Sequence, residues 1–180
     1  MEAKNAGALD RTNRKPERIE ARFTELYEDA PEMFVSVDPS DGEILSCNSR
    51  FSTTMGFPKS DIVGRRIFDF YHPTSLETAR RTLDSFRQTG RAVGVELQLT
   101  DARGQVIDVV LNASAFRDDS GNILCSRSVL HDITSVKSVE RELREMKLAV
   151  ESSKTGISRL DPEGTYLEVS DIYAELIGYE

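Results

Sequence analysis

Between residues 93 and 130 three apolar runs follow one another with only two short polar turns between them, and this constrains the fold more than any other feature of the chain. Val93, Val95, Leu97 and Leu99 alternate with Gly94, Glu96 and Gln98. That is the period of a strand with one face covered and the other in water. Asp101-Ala-Arg-Gly104 then leads into a run over 106–116, and Asp118-Asp-Ser-Gly121 into a run over 123–130. Both joins have the composition of hairpin loops, so three neighbouring antiparallel strands are expected.

Two shorter strand-like runs, 34–38 and 44–48, lie upstream with the turn Pro39-Ser-Asp-Gly42 between them. Helical pieces fill the interval before residue 93. Residues 49–55 end at Gly56, Ser60-Asp-Ile-Val-Gly64 carries a capping serine and a terminal glycine, and Thr74 or Ser75 caps a longer helix through Gln88. Leu76, Ala79, Leu83 and Phe86 give that helix one apolar face, and Gly90 stops it. At the start of the chain a polar leader over 1–15 precedes a short amphipathic helix over 16–30, in which Ile19, Phe23 and Leu26 share a face and which Pro31 ends.

Past Thr134 the period changes again. Val136, Val139, Leu143, Met146 and Val150 alternate steps of three and four, the seam of a coiled coil, and Glu, Arg and Lys fill the other positions. The spacing predicts a helix over 135–152 that pairs with a second copy. About two heptads are few for an isolated helix, and packing of the stripe on its own domain is the other reading.

The tail then repeats the head of the main domain. Val37-Asp-Pro-Ser-Asp-Gly42 corresponds to Leu160-Asp-Pro-Glu-Gly164, and Gly42 and Gly56 lie as far apart as Gly164 and Gly178. Each closing glycine precedes an aromatic residue, Phe57 or Tyr179, while Leu45, Phe51 and Met55 match Leu167, Tyr173 and Ile177. Residues 153–180 therefore read as the start of a second copy of the domain at 31–134, cut short, and the natural protein is expected to continue.

Charge and composition narrow the function. With 23 basic against 31 acidic side chains the net charge is -8, which repels nucleic-acid phosphates and anionic headgroups. The two cysteines, Cys47 and Cys125, are too few for a disulfide scaffold, and a reducing cytoplasm fits. No apolar stretch is long enough for a membrane span or has the form of a signal peptide. A phosphate-binding Gly-Lys-Ser loop, a nucleophile elbow and a metal motif are also missing, so no catalysis is expected from this chain.

The order strand, strand, small helices, long helix, three antiparallel strands and charged exit helix resembles the PAS domain. The residues that carry the resemblance are Asp38 with Gly42, Asn48 and Phe51, Met55-Gly56-Phe57, Ile62-Val-Gly64, Tyr71-His-Pro73, Arg103-Gly104 and Asp132-Ile-Thr134. It implies an α+β fold, a five-stranded antiparallel sheet with helices on one face enclosing a small-molecule pocket or a plain core. It also implies a sensory role in a bacterial-type multi-domain protein that feeds a histidine kinase or a diguanylate cyclase. In the family the last strand hands over to the exit helix at Asp132, Ile133 and Thr134, with Asp132 paired to a basic residue, here Arg103. Thr134 or Ser135 is then placed to cap the exit helix. The partners expected are a second copy, through the N-terminal and C-terminal helices, and a covalently linked effector.

Polar residues among apolar neighbours on the later strands, Asn112, Ser114, Ser126 and Ser128, either line a pocket or face solvent, because the strand parity is open. No cofactor is assigned. A covalent flavin adduct, as in the light-sensing LOV subfamily, needs a thiol three residues after Gly64, where this chain has Ile67, and Cys47 reads as a small packing residue. Haem-binding relatives use a histidine farther into the long helix than His72, which reads as structural or capping, as does His131. Flavin held without a covalent bond has little to stack on in a chain without Trp. A ligand-free dimerisation module and a chromophore-bearing sensor are the alternatives.

Overall fold

In the computed structural model the described residues are 22, 24–152 and 156–178, with the backbone alone for 150–152. They divide into two units, Met1–Thr134 and Ser135–Glu180. The leader over 1–15, together with Ile19 and Phe23, lies outside the described residues. Residues 24–28 are helical, and Leu26 is exposed.

In the first unit the chain runs through β1 (Met33–Val37), β2 (Ile44–Cys47), α1 (Ser49–Met55), a series of short 3-10 turns, α2 (Leu76–Thr89), β3 (Arg91–Thr100), β4 (Val106–Arg117) and β5 (Ile123–Asp132). The strands make one antiparallel sheet in the order β2-β1-β5-β4-β3. Alternate residues of β1, Met33, Val35 and Val37, point inward, and Leu99, Val109 and Leu130 continue the same face across β3, β4 and β5. Phe51, Met55, Ile62 and Phe70 from the helical segment cover them and are essentially inaccessible to water. Each such burial contributes about 1.5–3 kcal/mol.

A buried asparagine joins β2 to α1. Asn48 Oδ1 accepts from Phe51 N at 3.1 Å, capping α1, and from Phe34 N at 3.0 Å, while Nδ2 donates to the carbonyls of Tyr27 and Glu32 at 3.1 and 2.8 Å. Both lone pairs and both N–H groups are used, which is why a polar side chain is tolerated at zero exposure.

Three local expectations fail. Ser60 caps no helix: Lys59–Asp61 is a single 3-10 turn entered from Pro58, and Ser60 Oγ donates to Asp61. Neither Thr74 nor Ser75 caps α2 with its side chain, because a 3-10 turn at Pro73–Ser75, capped by His72 Nδ1, precedes the helix. The hydroxyls serve β3 instead, Ser75 Oγ accepting from Gln98 N at 2.8 Å and Thr74 Oγ1 donating to Gln98 Oε1 at 2.9 Å. Val93 does not share the inward face of Val95 but is 60% exposed, since β3 carries one extra residue between Ala92 and Val95. Gly94, at φ 65°, supplies the left-handed conformation that this bulge needs, and Ala92 takes the inward position.

The second unit follows from Ser135. The exit helix α3 (Thr134–Ser152) leads to the hairpin β6 (Ser158–Leu160) and β7 (Tyr166–Val169) and then α4 (Asp171–Leu176). Val136, Val139, Leu143 and Met146 are all more than half exposed, and the Val150 side chain lies outside the described residues.

Candidate functional site

The inward stripe of α2 does not quite close on the sheet. Ala79, Leu83 and Phe86 of the helix and Val35, Leu111 and Leu130 of the strands leave a cavity of about 50 Å³. A water needs about 10–15 Å³ of such space, so the cavity admits a few waters or a guest of a few heavy atoms. A site for a drug-sized ligand runs to about 300–1,000 Å³, and neither a flavin nor a haem fits. Ile67, at the position of the LOV thiol, is buried in this wall.

Strand parity decides the polar lining. Ser126 and Ser128 face the cavity, opposite Ala115 and Ala113 of β4. Asn112 and Ser114 have the other parity and are exposed on the outer face, so of the two readings left open for them the solvent-facing one holds and they are not pocket residues. Asn112 Oδ1 instead accepts from Gly94 N at 3.0 Å, holding the bulge. Ser126 Oγ accepts from Val37 N at 3.0 Å and lies 3.0 Å from Ser128 Oγ, so one of the two hydroxyl protons remains for a guest. Tyr71, which the sequence marked only as part of the Tyr71-His-Pro73 motif and not as a pocket residue, is a further polar group in the wall. Burial pushes its phenol well above the ordinary range, which keeps it a neutral donor.

The junction to the exit helix is built differently from the expected ion pair. Arg103 engages Asp101 Oδ2 at 3.1 Å and Gln105 Oε1 at 3.3 Å within its own turn, and not Asp132. Asp101 also accepts the backbone N–H groups of Arg103 and Gln105, so the β3–β4 hairpin fixes this carboxylate two residues from the arginine. Asp132 Oδ1 accepts from Thr134 N at 2.9 Å, so the aspartate holds the helix start itself. Of Thr134 and Ser135, the two residues placed to cap the helix, Thr134 turns its hydroxyl to β4 instead: its Oγ1 accepts from Asp108 N at 3.0 Å, and Ile133 N donates to Asp108 O at 2.9 Å.

Asp108 was not foreseen either. It is a buried β4 residue whose Oδ1 accepts from Gln98 Nε2 at 2.9 Å, and Gln98 in turn bonds Thr74 and Ser75 at the start of α2. A continuous polar path therefore links the helix that covers the cavity to the first residue of the exit helix. No sequence signal marks it, since a carboxylate alternating with Val and Ile on a strand reads as an outward-facing position.

The remaining candidates lie outside the cavity wall and make local contacts. His72 Nδ1 lies 2.7 Å from Thr74 Oγ1, and His131 Nδ1 contacts the Glu32 carboxylate at 2.9 Å. Cys47 is buried, and burial raises its thiol pKa, against a smaller opposing effect of Lys59. Among the described residues no group of three or more His, Cys, Asp and Glu side chains is placed to hold a metal ion, and no helix is long and apolar enough to cross a membrane.

Residues 31–135, more than half of the chain, match the PAS domain as a family. The chain belongs to the PAS family. The PAS domain of an HTR-like protein from Haloarcula marismortui is 25% identical, with a TM-score of 0.59 over 69% of this chain and 99% of that one. The PAS domain of a protein from Colwellia psychrerythraea is 16% identical, with a TM-score of 0.58 over 65% of this chain and 98% of the other. An RNA-binding Light-Oxygen-Voltage receptor shares the fold at 18% identity and a TM-score of 0.61, over 73% of this chain but 37% of its own. PAS domains are sensory or interaction modules and are generally not catalytic.

Proposed function

We propose that this PAS domain is the cytoplasmic sensory input of a longer signalling protein, filled by a small neutral guest under α2 and read out through Asp132, Ile133 and Thr134 by the exit helix. The observation that carries the reading is the path from Thr74 and Ser75 through Gln98 and Asp108 to Thr134, which ties the cavity's cover to the helix start. An apolar space with a phenol and a serine hydroxyl suits a guest carrying one hydrogen-bond acceptor, such as a small ketone or ether. In this reading Val136, Val139, Leu143 and Met146 meet the same residues of a second copy, because four exposed apolar side chains in one seam are unfavourable in water. By family analogy the output is a histidine kinase or a diguanylate cyclase.

The start of a second PAS copy belongs to the same proposal. Ser170 Oγ caps α4 by accepting from Tyr173 N and also accepts from Ile157 N, as Asn48 does for Phe51 and Phe34. Gly164 and Gly178 have φ 85° and 79°, against 83° and 73° at Gly42 and Gly56.

The second reading is a ligand-free dimerisation module, which the small cavity favours. Spin labels at position 140 of both copies separate the two. If the domain senses, filling the cavity with Ala113→Leu shifts the distance distribution between labels. An unchanged distribution leaves only the adaptor, and the absence of any short distance removes the paired helix.

A further inference from the structure

A second, more open hollow lies outside the core, a groove of about 460 Å³ between α2 and the edge strand β3. Thr78, Arg81, Thr82 and Ser85 form its helical wall, at the i, i+3, i+4, i+7 spacing of a single stripe. Opposite them stand Arg91, Val93 and Val95 of the strand. Its size falls within the range of small-molecule sites, about 300–1,000 Å³, which the core cavity does not reach.

The charge in this groove is unusual for the chain. Several other arginines of the same unit are engaged: Arg87 donates to Asp84 and to the carbonyls of Pro39 and Ser40, Arg117 donates to Gly121 O, and Arg80 stacks over Phe68. Arg81 and Arg91 are exposed, and neither guanidinium has a hydrogen bond or ion pair to a described residue. Asp84, the nearby carboxylate of α2, is held by Arg87 and does not neutralise them. Two guanidinia facing one groove in a protein of net charge -8 give a local reversal of sign, and guanidinium is the group best shaped to take a carboxylate or phosphate through paired hydrogen bonds. Val93, 60% exposed because the Gly94 bulge turns it outward, supplies an apolar surface beside them.

We propose that the α2–β3 groove binds a small organic anion, its acidic group held by Arg81 and Arg91 and its apolar body lying on Val93 and Val95. Thr82 and Ala92 belong to both hollows, so an occupant of the groove presses on the wall of the core cavity and on the helix that covers it. This site is separate from the guest under α2 and stands without it.

The test is a backbone amide NMR titration of the full chain with hexanoate, hexyl phosphate and hexanol. Saturable shifts at residues 78–85 and 91–95 with either or both of the anions, at least tenfold weaker with hexanol and at least tenfold weaker in Arg81→Gln/Arg91→Gln, support the site. A response to hexanoate alone or to hexyl phosphate alone identifies the acidic group. Equal affinity for hexanol and the anions, or an unchanged affinity in a variant with the parent melting temperature, overturns it, as does no shift with either anion. Shifts confined to cavity residues such as Val35, Leu111 and Ser126 overturn it while supporting the core ligand reading.

Discussion

Asn48 shows how much one side chain decides in this fold. It caps α1, takes up the Phe34 N–H of β1 and ties the helical turn at 24–28 to the sheet, all from a position without solvent access. Asn48→Ala strands two N–H groups and two carbonyls, so a loss of about 2–4 kcal/mol is expected, read as a lower urea midpoint with an unchanged slope. A loss below about 0.5 kcal/mol, the size of an ordinary surface change, contradicts it. Aspartates at turn entries act on a smaller scale. Asp38, Asp101, Asp118 and Asp161 each accept backbone N–H groups of the turn that follows. Hydrogen bonds hold the carboxyls of Asp38 and Asp118 below the usual range; burial opposes this at Asp101, where bonds from Gln105 and Arg103 outweigh it. A depressed folded pKa adds stability that is complete above the unfolded value, about 4, and is lost as pH falls through the folded one. The melting temperature is therefore expected to drop below about pH 4, and Asp118→Asn to drop less over the same interval. Parallel melting curves for the two proteins would sink this assignment.

At the scale of elements, the strands, the order of helices and the length of the exit helix were all legible, because apolar period and turn composition report them directly. Connections between elements were not. Arg103 lies two residues from Asp101, and short range within a hairpin beat the longer reach to Asp132. The Gly94 bulge shifted parity at Val93, since one extra residue on β3 reverses every side chain beyond it. The corrected junction makes its own prediction. Thr134→Val removes the acceptor of the Asp108 N–H and should cost about 1 kcal/mol, with faster amide exchange at Ile133, whose N–H bonds the same residue. Arg103→Ala should leave Ile133 exchange unchanged; acceleration there would restore the arginine to the junction. For the exit helix, Leu143→Glu places a charge in the seam and should turn a dimer into a monomer by light scattering, whereas a parent protein that is already monomeric removes the paired helix altogether.

For the whole molecule, the sheet and its helical cover followed from residues 93–130 and the resemblance, but the cavity did not, because a void of about 50 Å³ depends on how side chains from α2 and four strands pack together and no local pattern records it. The two units also differ in what they bury. Val109 and Leu111 lie on β4, an inner strand of a five-stranded sheet paired on both sides and with a core on one face, while every residue of β7 is exposed and β6 is its one strand partner among the described residues. A lone two-stranded hairpin is marginal in water, so β6–β7 should open locally without the rest of the chain. Native-state hydrogen exchange is then expected to show the Val109 and Leu111 amides exchanging only through global unfolding, and the Ser158 and Glu168 region exchanging at least about a hundredfold faster. Matching rates in the two regions would mean that the hairpin shares the stability of the PAS sheet, and that its exposed face is covered by something that binds as tightly as the core folds.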